Sequence, residues 1–212
     1  MQPLLGIPLI AYTIIAARKS KYIDRIIVSS DDNQIRKIAR KYKAEAPFKR
    51  PKNLSSDSSN VHDAFKHAVK WTEKDDKFDY DFLIELLCTN PFKTSGDIDG
   101  AIEKLYKSKA DSVIGVTKLE DHHPIRIKKI VNDKIKDFCI EEIPGTNRQD
   151  LKPDAYIRNG SIYACKRDAI DCRVGSNNSR PFIMPPEKSI NIDTPLDLLL
   201  AEEVLKRKKN YG

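Results

Sequence analysis

The chain of 212 residues carries a formal net charge of +7, with 40% hydrophobic and 33% charged residues. This length and composition favour one globular domain and exclude an intrinsically disordered chain. No apolar run reaches the roughly 20 residues that a membrane-spanning helix needs, and no leader sequence indicates export. Because Lys and Arg are scattered among acidic residues, the surplus charge favours solvated helix faces, or an anionic small-molecule substrate, over a nucleic-acid partner.

The cysteines indicate the compartment. None of the four belongs to a Cys-x-x-Cys pair: they are Cys88, Cys139, Cys165 and Cys172. We therefore expect reduced thiols in a cytoplasmic protein.

The first part of the chain predicts alternating helices and strands. Pro8 begins a helix over about residues 9–19, and residues 25–30 form an apolar strand. Asp31-Asp32 then caps an amphipathic helix. A loop over residues 44–59 precedes a further helix over residues 61–71.

The segment 82–87 predicts a central strand of the fold. It is apolar apart from Glu85 and too short for a typical helix, as expected for a strand buried on both faces of a sheet. Thr94 offers a cap for the helix that follows. The strand thus delivers Thr89 and Asn90 to its carboxyl end, where open α/β sheets bind their ligands.

The second part continues the sheet and adds a hairpin. Residues 112–117 read as a second buried strand, so the alternation predicts a mostly parallel sheet with right-handed crossovers. Residues 125–138 alternate around a turn at Asn132-Asp133, which predicts an antiparallel hairpin projecting from the sheet. Residues 161–165 return as a strand. Thr194-Pro195 begins the last helix, which runs to about Lys206. The basic end at residues 206–209 suits the negative end of the helix dipole. We expect a single domain over 1–212, with an elaboration at about 120–160.

Polar stretches without an obvious role in a plain sheet protein mark the candidate site. Arg matches carboxylate and phosphate groups through its bidentate fork. Four polar stretches of this kind stand out, and the last two are predicted loops beside the hairpin. They are Arg50-Pro51, Thr89-Asn90-Pro91, Asn147-Arg148-Gln149-Asp150 and Arg158-Asn159-Gly160.

A fifth stretch, residues 189–195, predicts a cation site. Its alternation places Asn191 and Asp193 on one face, and such oxygen donors suit Mg²⁺. Each stretch also has a purely structural interpretation. Asp193-Thr194-Pro195 and Thr89-Asn90-Pro91 are alternatively helix caps, Asn159-Gly160 a turn, and Arg50-Pro51 a surface loop.

As a set, these stretches resemble the acylneuraminate cytidylyltransferase family, which activates nine-carbon acidic sugars as CMP conjugates. The resemblance runs from about Leu4 to Val204. It rests on residues 3–10, Ile27-Val28-Ser29-Ser30-Asp31-Asp32, Arg50-Pro51, Leu54-Ser55-Ser56-Asp57, Thr89-Asn90-Pro91, Asn147-Arg148-Gln149-Asp150, residues 158–163 and Asn191-Ile192-Asp193-Thr194.

The resemblance implies a Rossmann-like, three-layer α/β nucleotidyltransferase, usually a homodimer whose hairpin region completes the partner's sugar site. The sugar's anomeric hydroxyl attacks the α-phosphorus of CTP in line and expels pyrophosphate, with Mg²⁺ as cofactor. The implied sugar-binding residues are Arg148 and Gln149, with Arg158, Asn159 and, more weakly, Arg126. The implied nucleotide-binding residues are Arg50, Thr89 and Asn90. The implied metal ligands are Asp193 and Asn191, and the implied catalytic residues are Arg148 and Asp193.

The chain also departs from the family pattern. It begins after the point where the family's first strand and basic, Gly-rich phosphate loop end, so we expect a truncated chain whose own activity is open. Asn191 stands where the family usually has Asp, and Leu87-Cys88 where many members have Gln-Pro. If the chain as given is active, other cations such as Lys93 or Arg50 are expected to hold the triphosphate. The alternatives are a non-catalytic binding or oligomerising relative, or a nucleotidyltransferase for another sugar acid.

Overall fold

The computed structural model describes residues 3–56 and 58–210, and side chains up to residue 207. Asp57 and the side chains of Lys208 and Lys209 therefore lie outside the described part. The helices are α1 (Leu9–Arg18), α2 (Asn33–Lys41), α3 (Val61–Asp76), α4 (Ser95–Ser108) and α5 (Pro195–Asn210). The strands are β1 (Pro3–Leu4), β2 (Ile7–Pro8), β3 (Phe82–Leu86), β4 (Ser112–Lys118), β5 (Lys128–Val131), β6 (Lys134–Asp137), β7 (Tyr156–Lys166) and β8 (Ser179–Ile183).

The helix caps form as the sequence predicts. The Asp32 carboxylate accepts hydrogen bonds from two backbone N–H groups in the first turn of α2. At α4, Thr94 and Asp97 form a reciprocal capping box, in which each side chain accepts from the other residue's backbone N–H. These local hydrogen bonds satisfy donors that a helix cannot pair internally, which explains why the sequence alone locates both starts.

The main sheet has the strand order β3-β7-β4-β8. Strands β3, β4 and β8 run in one direction, and β7 lies antiparallel between β3 and β4. The α/β fold is confirmed, but the sheet is mixed. β3 is an edge strand of this sheet and not its centre, and only Leu83 in it is fully buried. The prediction of a central strand was wrong. β7 pairs with one side of β3, and no other strand among the described residues pairs with its other side.

Glu85 carries the only charge within β3, and the fold gives it a buried partner. Arg173 lies 2.9 Å from its carboxylate, and both side chains are largely buried. Burial raises the pKa of Glu85, and the charge of Arg173 opposes that shift. The pair joins β3 to the segment between β7 and β8.

Residues 25–30 do not form the predicted strand. Only Ile27 makes a β-bridge, a parallel one to Glu45, with the backbone N–H of Val28 donating to Glu45 O. A single bridge does not propagate into a ladder, although Ile26 and Val28 still pack against the core. The apolar pattern predicted burial correctly and strand pairing incorrectly.

The hairpin is present and projects, but it is shorter than predicted. β5 and β6 form their own two-stranded sheet around Asn132 and Asp133, whose φ angles of 51° and 59° fit a type I′ turn. The predicted strand start at residue 125 was wrong, because Pro124–Arg126 forms a 3-10 turn. The cross-strand partners Ile130 and Ile135 are 78% and 76% exposed.

Two further features of the sheet differ from the prediction. Arg158-Asn159-Gly160 belongs to β7 and not to a loop, because β7 begins at Tyr156, well before the apolar residues that mark it in the sequence. Strand β8 was not predicted, since Pro181 interrupts its pattern. Proline is tolerated there because β8 is the other edge strand of the sheet. None of the helices described is long and apolar enough to cross a membrane.

Candidate active site

Two groups of predicted site residues lie beyond the carboxyl ends of β3 and β4. Because these strands run in the same direction, their ends face the same edge of the sheet. The first group belongs to the segment 87–93 after β3, which we call the polar turn. The second lines a cleft after β4, which we call the basic cleft. This is the edge at which α/β sheets bind ligands.

The side chain of Asn90 makes three hydrogen bonds that connect the polar turn to other segments. Its side chain is 0% exposed, and its amide nitrogen donates to the carbonyl oxygens of Lys188, at 3.1 Å, and Asn159, at 3.5 Å. Its amide oxygen accepts from the Ser161 hydroxyl at 3.2 Å. The protein itself therefore uses this amide, and Asn90 shapes the turn. Thr89 beside it is half-buried, and its hydroxyl makes no hydrogen bond to the described residues.

Lys93 lies beneath the same turn and is 3% exposed. Its nitrogen donates to the carbonyl oxygens of Leu87, at 2.8 Å, and Asn90, and to the Thr13 hydroxyl at 3.3 Å. Burial lowers the pKa of Lys93 to about 7. From the sequence, Lys93 was expected only as a substitute cation for the triphosphate. In the structure its side chain is instead buried and points into the protein. No sequence signal separates it from an exposed lysine, because its partners are backbone carbonyls and a helix residue far along the chain.

Arg158 and Asn159 face opposite ways, because successive side chains of a strand alternate between its faces. Asn159 is buried and donates to the Ser189 hydroxyl at 2.9 Å, while its oxygen accepts from Ser161 N at 3.1 Å. A side chain at Gly115, on the neighbouring strand, would place its Cβ 2.7 Å from the Asn159 oxygen. Arg158 is exposed and makes no hydrogen bond or ion pair in the described part of the chain. The structure does not bring these two residues into one pocket.

Arg50 holds its own loop. Its guanidinium donates to the hydroxyl of Ser29 at 3.1 Å and to the carbonyl of the same residue. Its backbone N–H donates to Ser30 O at 3.1 Å. The side chain thus fastens the loop after α2 to the extended segment 25–30.

Asn191 and Asp193 lie on one face, as the alternation predicts, and the Asn191 amide nitrogen donates to the Asp193 carboxylate at 2.5 Å. Thr194 caps α5, as the structural interpretation of Asp193-Thr194-Pro195 expects: its hydroxyl accepts from Asp197 N, and the Asp197 carboxylate accepts from the backbone N–H groups of Asp193 and Thr194. Capping therefore does not occupy the exposed Asp193 carboxylate.

The Asn191 amide oxygen is buried and has no hydrogen-bond partner among the residues described. The exposed Asp193 carboxylate fits the oxygen-donor chemistry of Mg²⁺, and the orphaned Asn191 oxygen, which lies toward Gly160, would join it once the amide turns. The described residues contain no group of three or more His, Cys, Asp or Glu that could hold a metal ion. Asn191 and Asp193 would therefore hold the cation together with phosphate oxygens and water.

The basic cleft has a volume of about 300 Å³ and is lined by Arg126, Arg148 and Gln149. Arg148 and Gln149 are exposed, and neither side chain makes a hydrogen bond or an ion pair within the described chain. Arg126 is 3.9 Å from the Glu142 carboxylate. The nearby Lys118 and Lys152 both pair with Asp154, and the Lys118 contact lowers the pKa of that carboxyl. Glu120 and Asp121 also line the cleft, but within the described residues Arg148 pairs with neither of these carboxylates.

The fold is similar to that of solved enzymes. A solved CMP:2-keto-3-deoxy-manno-octonic acid synthetase complexed with CTP superposes with a TM-score of 0.67, covering 98% of this chain and 91% of its own. At 16% identity, that likeness shows the fold alone.

The sequence comparison places the chain more closely. A sequence model described as cytidylyltransferase matches residues 1–204, so the chain belongs to this family of nucleotide-transferring enzymes. Post-translational flagellin modification protein B of Campylobacter coli is 32% identical over 94% of this chain and 85% of its own length. A pseudaminic acid cytidylyltransferase of Campylobacter jejuni is 30% identical over 95% of this chain and 87% of its own.

Proposed function

We propose that this protein transfers CMP from CTP to a nine-carbon acidic sugar and releases pyrophosphate. The observation that carries the proposal is Arg148, an exposed guanidinium without a partner among the described residues, in a cleft at the ligand-binding edge of the fold. An acidic sugar brings the carboxylate that such a fork binds bidentately. The family match and the name of the Campylobacter jejuni relative support the same chemistry.

In this proposal Arg148 is the anchor of the sugar carboxylate. Gln149 and Arg126 line the same cleft and are available to the sugar's polar substituents. Holding the sugar at its carboxylate fixes where its anomeric hydroxyl points, and such positioning lowers the barrier of a bimolecular step. Arg158 lies outside this set, on the exposed face of β7.

The nucleotide lies at the polar turn. Thr89 offers a free hydroxyl, and Asn90 keeps the backbone of the turn in place. Arg50 supports the nucleotide side indirectly, by fastening the loop after α2 to residues 25–30. The anomeric hydroxyl attacks the α-phosphorus in line, and negative charge develops on the phosphate oxygens. Asp193, with the oxygen of Asn191, would hold Mg²⁺, which supplies charge stabilisation for those oxygens when bound.

The hairpin supports a homodimer. Ile130 and Ile135 form an exposed apolar pair on one face of β5 and β6, and Phe138, just after β6, is 59% exposed. A second copy of the chain would cover this surface and bring the hairpin close to the partner's cleft. Light scattering at micromolar concentration should give the mass of a dimer, whereas a stable monomer would contradict the assignment.

We also place the protein in the cytoplasm. The thiols of Cys88, Cys139, Cys165 and Cys172 are all free, which fits a reducing compartment.

The decisive experiment measures pyrophosphate release with CTP, Mg²⁺ and a panel of sialic, legionaminic and pseudaminic acids. We expect release that requires both CTP and one of these acids. The matched control is Arg148→Ala, which removes the cleft cation without touching a described contact. Binding of CTP and sugar acid without turnover would favour the alternative of a non-catalytic relative.

A further inference from the structure

We propose that Lys93 is a positioning residue for the nucleotide: its nitrogen fixes the polar turn, and through the turn the segment that carries Asp193. Lys93 has no direct role in the chemistry described above. The inference rests on the proposed function, because it takes CTP to be the ligand at this turn. It concerns a residue that no motif in the sequence marks as functional.

The first observation is the geometry around the nitrogen. Lys93 bridges two carbonyl groups of one turn, those of Leu87 and Asn90, and reaches α1 through the Thr13 hydroxyl. An ammonium group has three donors, and all three are used here. No donor remains for a phosphate oxygen, so the nitrogen acts on the nucleotide only through the backbone that it holds.

The second observation is that the turn holds the metal-site segment. Thr89 O accepts from the backbone N–H of Ile192 at 2.8 Å, and the Asn90 amide donates to Lys188 O at 3.1 Å. Ile192 lies directly between Asn191 and Asp193. A shift of the polar turn would therefore move Asp193 as well as Thr89.

The contacts of Lys93 are compatible with either protonation state. A neutral amine keeps two N–H donors for the carbonyls of Leu87 and Asn90, and the Thr13 hydroxyl then donates to its lone pair. Two other titratable groups influence the nitrogen, the Cys88 thiol and the Asp97 carboxylate, and Asp97 is itself paired with Lys188. The turn thus keeps its shape through the neutral pH range.

The test is calorimetric titration of CTP in the presence of Mg²⁺ into the full chain and into Lys93→Met. Methionine retains most of the buried volume but leaves two buried carbonyl groups without their donor, which loosens the turn. We expect CTP affinity to fall by about tenfold or more. Thr13→Val keeps both carbonyl contacts and should cost only about two- to threefold.

Two control variants on α4 separate positioning from general destabilisation. Lys104→Met also removes a lysine-to-carbonyl contact, the one to Pro181 O at 2.5 Å, but far from the polar turn. Leu105→Val trims a fully buried side chain and should lower the unfolding temperature. Both should bind CTP like the wild type.

The outcomes are distinct. Equal CTP affinity in the wild type and in folded Lys93→Met would overturn the role of Lys93 and leave the proposed function standing. If Lys93→Met does not fold, unchanged affinity in Thr13→Val would overturn the role in its place. A wild type that binds no CTP would overturn the proposed function and this inference together.

Discussion

The polar turn and the basic cleft lie at the same edge of the sheet and use their polar residues in opposite ways. In the polar turn, the amide of Asn90 and the nitrogen of Lys93 are buried and fully hydrogen-bonded within the protein. In the basic cleft, Arg148 and Gln149 are exposed, and their side chains make no polar contact with the described residues.

This difference separates residues whose polar groups are used within the fold from residues whose polar groups remain available to a ligand. A buried polar group is costly unless it is hydrogen-bonded, and here backbone carbonyls and the hydroxyls of Ser161 and Thr13 satisfy the side chains of Asn90 and Lys93. An exposed arginine is solvated and retains its donors for a partner. The comparison therefore predicts stability effects at the polar turn and ligand-binding effects at the basic cleft.

The largest expected effect is on stability, when the Asn90 side chain is removed from the polar turn. Asn90→Ala leaves the Ser161 hydroxyl and the Lys188 carbonyl without a partner and creates a small cavity. We expect the free energy of unfolding to fall by about 3–5 kcal/mol, measured by urea denaturation. Gln149→Ala in the cleft should stay within about 0.5 kcal/mol. Equal stability of the two variants would remove the distinction between the regions.

The next effect concerns ligand binding at the cleft. Arg148→Ala should weaken binding of the acidic sugar by about 2–4 kcal/mol, because it removes one partner of a desolvated charge pair. Binding of CTP and the free energy of unfolding should barely change. Calorimetry with each ligand measures this, and equal losses for CTP and the sugar would instead indicate a structural role for Arg148.

The pH dependence of stability tests the burial of Lys93. The pKa is lowered from 10.5 to about 7 in the folded chain, so above pH 7 the unfolded chain binds a proton that the folded chain has lost. Stability should therefore rise with pH, by up to about 1.4 kcal/mol per pH unit. Unfolding free energies measured from pH 7 to about 8, just below the ordinary pKa of a cysteine thiol, should show this rise.

Lys93→Met should lose that rise, since its side chain does not titrate. Cys88 and Asp97 are present in both proteins, so their own titration cancels in the difference. A rise of the same size in both proteins would mean that another group is responsible.

The smallest effect concerns the segment that carries Asp193, which is hydrogen-bonded to the polar turn. Asp193→Asn should weaken CTP binding in Mg²⁺ by about tenfold, or ~1.4 kcal/mol, and have little effect in EDTA. Glu203→Gln on α5 is the matched control, because it also removes one carboxylate charge, pairs only with Arg207 among the described residues, and should leave the Mg²⁺ dependence unchanged. If the Mg²⁺ dependence is unchanged in Asp193→Asn, the cation lies elsewhere.

Local patterns in the sequence were sufficient to locate most elements. The caps at Asp32 and Thr94, the turn at Asn132-Asp133 and the spacing of apolar residues each depend on neighbours within a few positions. The same holds for the placement of Asn191 and Asp193 on one face, which needs only strand alternation. The family was recognised from polar stretches in order along the chain, and the comparisons confirm it.

The tertiary structure alone decided which residues pair across the fold. That β7 inserts beside β3, that Glu85 meets Arg173, and that Lys93 turns inward to Thr13 all depend on contacts between distant segments. Periodicity reports how a segment sits relative to water, but not which segment lies next to it. The sequence therefore determined the family and the set of polar candidates. Only the packing decided that Asn90 and Lys93 support the site, whereas Arg148 is left free to bind a ligand.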